Sequence, residues 1–157
     1  DVDLGDRWTM IADLWARKTP AENGYYAFND LHAVIALVGA GRLSEARAIL
    51  ADLQKAATDN PPLTAMMARD VGVPAAQAMI AFAEQRYDDV IDALYPIRSI
   101  ANRFGGSNAQ RDILSQTLIE SAIRAGQRGF AVNLVNEREV HKPKSPLTRG
   151  FREKALQ

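Results

Sequence analysis

The chain of 157 residues contains no cysteine. That one absence excludes disulfide frameworks, thiolate metal sites and a cysteine nucleophile. No apolar run approaches the roughly 20 residues needed to span a bilayer. Neither sign of charge is in excess, with 19 basic and 19 acidic side chains, which argues against nucleic acid or a membrane surface as partner. Histidine is scarce: only His32 and His141 occur, without the spacing of a ligand pair. Strand-like alternation and low-complexity linkers are missing too. No cleavable signal is visible, and the sequence starts at Asp1 rather than Met; the cytoplasm is the expected compartment. What is plentiful is apolar: 47% of residues are hydrophobic, enough for one core of ordinary size in a single domain.

A helix-turn-helix pattern recurs along the chain. In the clearest copy, Ala33, Ala36 and Leu37 form a helical stripe before the turn Gly39-Ala40-Gly41-Arg42. Leu43, Ala46, Ile49, Leu50 and Leu53 form another after it,. Gly39 and Gly41 are expected to relieve the turn, and Ser44 to cap the helix that follows. Gly5-Asp6-Arg7 precedes a stripe of Trp8, Ile11, Ala12 and Trp15. Gln85-Arg86-Tyr87 and Gly126-Gln127-Arg128 follow further helical stretches. The turn positions 5, 41, 85 and 126 lie 36, 44 and 41 residues apart.

Local punctuation agrees. Pro61-Pro62 after Asn60 ends one helix and opens the next. Gly72-Val73-Pro74 is expected to break or kink the stretch 63–84. Ser107 and Gln110 have capping-box spacing after Gly105-Gly106, and Ser145-Pro146 can open a last helix. The predicted fold is all-α: about seven or eight helices, with antiparallel hairpins over 25–58, 62–103 and 107–142 and a terminal helix over 145–157. Residues 1–18 are expected to be an orphan second helix, its partner lying before Asp1 in a longer array.

The pattern resembles the tetratricopeptide repeat family, whose unit of 34 residues is a helical hairpin with small residues at the crossing. Ala36, Leu37, Gly41, Leu43, Glu45, Ala46 and Leu50 fall where that motif places Ala, Tyr, Gly, Tyr, Glu, Ala and an aromatic or Leu. Later copies depart: Gln85 stands at the turn glycine and Val90 at the crossing alanine, whereas Gly126, Ala131 and Pro143 are kept. The phrases Gly24-Tyr25-Tyr26-Ala27-Phe28-Asn29-Asp30-Leu31-His32-Ala33 and Gly105-Gly106-Ser107-Asn108-Ala109-Gln110-Arg111-Asp112 are similar to the family of tetratricopeptide repeat protein 38 and its bacterial relatives. The resemblance implies a TPR-like right-handed solenoid and the carboxy-terminal part of a longer helical protein. It carries no reaction, ligand or cofactor onto residues here.

Polar chemistry concentrates at 25–32. His32 shares a helical face with Phe28, Asn29, Ile35 and Ala36. It can serve as base or ligand, or as a half-buried histidine bound to backbone. Asn29 and Asp30 can read a ligand's donors or bond a neighbouring hairpin. Tyr25, Tyr26 and Phe28 can line a pocket or pack between hairpins. Arg111, in the first turn of a helix where a cation is disfavoured, can pair across the hairpin or hold an anion. With Arg69 beside Asp70, the candidate binding set is Tyr25, Tyr26, Asn29, Asp30, His32, Arg69 and Arg111; no catalytic residue, metal ligand or cofactor is assigned. A triad of Ser107, His32 and Asp112 lacks the strained nucleophile turn it would need.

In the resembling family the first helix of each hairpin lines a concave groove. Those positions are Phe28, Leu31, Ile35 and Val38, then Ala75, Met79 and Phe82, then Ile113, Gln116, Glu120 and Ile123. The first two sets are too apolar to face water. Either something covers them or they are core. The expected function is therefore a non-catalytic protein–protein interaction or assembly module, its partner a protein or peptide, the remainder of its own chain or a second copy. The alternative is a small-molecule or enzyme site using the 25–32 helix and completed by residues before Asp1.

Overall fold

The computed structural model describes residues 4–17 and 22–157. Among these the fold is all-α, with eight helices once the continuous run 62–83 is taken as one, and no strand. In chain order they are α1 (Arg7–Ala16), α2 (Ala27–Gly39), α3 (Leu43–Asp59), α4 (Pro62–Met67) leading without interruption into α5 (Val73–Ala83), α6 (Tyr87–Leu94), α7 (Asn108–Arg124), α8 (Arg128–His141) and α9 (Pro146–Leu156). Residues 1–3 and 18 of the expected orphan helix lie outside the described residues.

One turn geometry links the helices of each pair. At Gly41, Gln85 and Gly126 the backbone enters the left-handed region, with φ of 73°, 59° and 72°. The following amide reaches back five residues: Arg42 to the Leu37 carbonyl at 2.8 Å, Arg86 to Ala81 at 2.9 Å, Gln127 to Ala122 at 2.9 Å. The left-handed residue itself donates three residues back, to Val38, Phe82 and Ile123. These paired bonds satisfy carbonyls that a helix end otherwise leaves orphaned. The next helix starts one residue later, at Leu43, Tyr87 and Arg128. Ser44 consequently sits inside α3 instead of capping it; Arg42 holds the cap position without a side-chain bond. Gly39 is likewise helical, and its missing Cβ makes room for the Trp8 indole of α1.

Proline sets two other features. Pro74 has no N–H for the Asp70 carbonyl, and the chain responds with a π-turn over Ala68–Gly72, where the Val73 N–H reaches the Ala68 carbonyl,. The expected break is thus absorbed inside a helix that continues. Pro96 stops α6 at Leu94, so the second helix of this pair ends well short of 103. The chain then crosses back through turns and a 3₁₀ segment, Ala101–Phe104, before Ser107 caps α7 with the reciprocal Gln110 bond.

Each helix packs on its neighbours in sequence, and α2, α5, α7 and α9 also touch in series. The core lies between them, built from Leu31, Val34 and Leu37 of α2, Leu53 of α3, Val71, Val90, Leu94, Phe104, Ile119 and Val135, all at most 2% exposed. Alanines at crossings, including Ala46, Ala75, Ala76, Ala78, Ala122 and Ala131, are fully buried, which lets helix axes approach closely.

Candidate functional site

The entry to α2 is the densest polar region, and the fold consumes most of it. Asp30 is fully buried, and its carboxylate accepts the Gly24 N–H at 2.9 Å. Asn60 donates to the Gly24 carbonyl at 2.8 Å, and Asn23 donates to Asp52 at 2.8 Å. Together these bonds staple the turn before α2 onto α3. His32 is half-buried. Its Nδ1–H donates to the Phe28 carbonyl at 2.8 Å, which fixes the tautomer at that nitrogen,. Its ring lies edge-on to Phe28, with centroids 4.4 Å apart. Asn29 and Tyr25 point outward and are exposed, Tyr25 to 75%.

Phe28 also makes an edge contact with Phe104, at 5.4 Å, and a tilted one with Tyr26, at 5.9 Å. This knot draws the distant Gly105-Gly106 loop onto α2. A Cβ at Gly105 would collide with the Tyr26 hydroxyl, and one at Gly106 with the Phe28 ring. Arg111 locks the loop from the other side, donating to the carbonyls of Gly105, at 2.8 Å, and Gly106, and to the Asn108 side chain at 2.5 Å. Its odd place in the first turn of α7 is explained by those loop carbonyls rather than by a carboxylate across the hairpin. The structure therefore unites Tyr26, His32 and Arg111 around Phe28, with Asp30 behind them, and leaves Tyr25 and Asn29 outside. Arg69 is exposed on the π-turn, bonded to Asp70 at 3.1 Å, while Arg103 reaches the other Asp70 oxygen at 2.9 Å.

The groove positions of the first two hairpins are core. Phe28, Leu31, Ala75 and Met79 are buried by this chain's own helices, and Ile35, Val38 and Phe82 are partly covered. Only the third set has a residue in the open, Ile113 at 37% exposure. Large exposed apolar side chains lie singly on other helices, at Leu63, Val140 and Leu156, and as a group on α1. On α1 and the turn before it, Leu4, Met10, Ile11 and Leu14 are 36%, 66%, 43% and 65% exposed, while Ala12 is buried and Trp15 packs on the core. Met10 and Leu14 lie outside the expected stripe of Trp8, Ile11, Ala12 and Trp15. Apolar residues at 8, 10, 11, 12, 14 and 15 confine the polar face to a narrow stripe of Asp6, Thr9, Asp13 and Arg17,.

A second cluster that sequence spacing did not reveal joins α7 to α8. Asp112 receives two bonds from the Arg138 guanidinium, at 2.5 and 2.8 Å, one from Lys142 at 2.9 Å and one from Gln116 at 2.8 Å. The Arg138 Nε–H reaches the buried Thr148 hydroxyl of α9 at 3.1 Å. The Arg138 hydrogen bonds hold the Asp112 carboxyl well below the usual carboxylate range, against the burial that would raise it; Lys142 and Gln116 reinforce them. The partners are 26 residues apart in sequence, so no local pattern announces them.

Among the described residues no group of three or more histidine, aspartate or glutamate side chains is placed to share a metal ion. No helix among them is long and apolar enough to cross a membrane. No protein-family model matches the chain, and no solved structure matches it.

Proposed function

We propose that the protein is a non-catalytic interaction and assembly module, a right-handed solenoid of tetratricopeptide-like hairpins that binds through the outward face of α1. The outward apolar face of α1 carries this reading. In a stacked array each helix is covered on both sides, and among the described residues α1 packs chiefly on α2. Met10, Ile11 and Leu14 of α1, with Leu4 just before it, form a surface that water disfavours and a further helix would bury,. The recurrent turn geometry at Gly41, Gln85 and Gly126 supports the repeat character of the stack.

A partner peptide held in the central groove is a weaker version, because Phe28, Leu31, Ala75 and Met79 are already buried. An enzyme site on α2 is weaker still. The His32 Nδ1–H is committed to a backbone carbonyl.

For this sequence alone in solution, a second copy is the available occupant of the α1 face. Multi-angle light scattering over a concentration series is expected to give masses rising above the monomer. A Met10→Asp, Leu14→Asp double variant is expected to remain monomeric with unchanged helicity. A wild-type monomer at every concentration, or a variant that associates equally well, overturns the assignment.

A further inference from the structure

A cavity of about 520 Å³ opens between the end of α6, the crossing segment that follows it, α7 and α8. This lies within the range of small-molecule sites. Its floor is apolar, formed by Leu94, Ile97, Leu114, Leu118 and Leu134. Its rim is basic: Arg98, Arg111, Arg138 and Lys142 face only two lining carboxylates, Asp112 and Glu137.

The positive excess has a definite place. Arg98 is matched by Glu137 at 3.3 Å and lies over the Tyr95 ring. Arg138 and Lys142 share the single Asp112 carboxylate. Arg111 is held by two carbonyls and an amide, none of which cancels its charge. The uncompensated charge thus sits on Arg111 and on the pair of Lys142 and Arg138 that shares Asp112. Lys142 is 39% exposed, Arg138 only 4%, so the ammonium is the cation that can turn toward a ligand. The amino-terminal turn of α7 opens on the same rim at Asn108 and adds a partial positive charge,.

A basic rim over an apolar floor fits one ligand chemistry. We propose that this cavity binds a small amphipathic carboxylate, its head group at Lys142 and Arg111 and its hydrocarbon body on Leu94, Leu114 and Leu118. An inorganic anion would leave the floor wetted, and a neutral hydrocarbon would leave the rim charge unanswered. The site is independent of the α1 face and stands or falls apart from it.

Isothermal titration calorimetry with octanoate tests the assignment on the whole chain, with octanol and acetate as matched controls. Octanoate is expected to bind saturably at one site per chain. Octanol, lacking the charge, and acetate, lacking the body, are each expected to bind about tenfold more weakly or not at all. Lys142→Met is expected to weaken octanoate about tenfold and Lys142→Arg to restore most of it. Ser115→Leu, which fills the cavity from α7, is expected to abolish binding. Octanol binding as tightly as octanoate, no saturable octanoate heat, or a Lys142→Met variant of unchanged affinity overturns the proposal. Should Ser115→Leu fail to fold, the three probes and the Lys142 pair still decide.

Discussion

Gln85 and Gly41 occupy equivalent turns with nearly the same left-handed backbone, φ 59° and 73°. Glycine adopts this region freely, whereas a residue with a Cβ is strained there by about 1–2 kcal/mol. Gln85 is the one described non-glycine residue with positive φ. Gln85→Gly is therefore expected to stabilise the protein by about 1 kcal/mol, net of the extra freedom glycine gives the unfolded chain. Urea unfolding followed by circular dichroism measures this. A variant less stable than the parent would mean that Gln85 makes compensating contacts.

Two other glycines separate backbone strain from crowding. Gly41 and Gly106 share φ of 73°. Nothing lies within 4 Å of a Cβ built at Gly41, while one at Gly106 runs into the Phe28 ring. Gly41→Ala is expected to cost about 1 kcal/mol, from strain alone. Gly106→Ala is expected to cost about 3 kcal/mol, from strain plus overpacking. Phe28→Leu should recover part of the second loss and none of the first. Equal losses in the two single variants would argue that the aromatic knot yields without resistance.

The contrast between these turns and the Asp112 cluster shows what the sequence discloses. Helix identity and the hairpin turns follow from local chemistry: glycine at 41 and 126, proline at 62 and 146, the Ser107–Gln110 box. Gln85 could be aligned with the turn glycines because the flanking apolar stripes fix its register. The sequence leaves short alternatives for Asp30, His32 and Arg111, since spacing does not say that Asp30 accepts from the Gly24 N–H, that His32 donates to the Phe28 carbonyl or that Arg111 donates to the Gly105 and Gly106 carbonyls. The pairing of Asp112 with Arg138 and the covering of Phe28 and Leu31 are products of stacking. Periodicity states that a face is apolar, not which helix will cover it. The shortening of α6 is legible in Pro96, but a hairpin pattern of full repeat length hides it,.

His32 is predicted to be structural. Its imidazole supplies one hydrogen bond to the Phe28 carbonyl and one edge contact to the Phe28 ring. His32→Ala is expected to lower stability by about 1–2 kcal/mol, with no change in association through α1. Parallel denaturation and light scattering distinguish the two effects. Loss of association without loss of stability would place His32 in an interface instead.

Asp112 makes the fold acid-sensitive, and the sign follows from its partners. Arg138 and Lys142 favour the charged carboxylate, so its folded-state pKa lies below the unfolded value of about 3.9,. The folded state holds fewer protons on this group, and its contribution to stability is complete above that value. As pH falls below about 4 the contribution is progressively lost. Arg138 is nearly buried, with a side chain 4% exposed, so removing its carboxylate leaves a desolvated cation. Asp112→Leu is expected to cost about 3 kcal/mol at neutral pH. The Asp112→Leu, Arg138→Met double variant should be more stable than Asp112→Leu alone, because the unpaired charge is gone. Lys142, itself a cation, cannot compensate the Arg138 guanidinium in the single variant. Urea melts at pH 7 and pH 3 test both halves of the argument. The gap between parent and Asp112→Leu should be widest at pH 7 and narrow at pH 3, while a gap independent of pH would assign the loss to packing rather than charge.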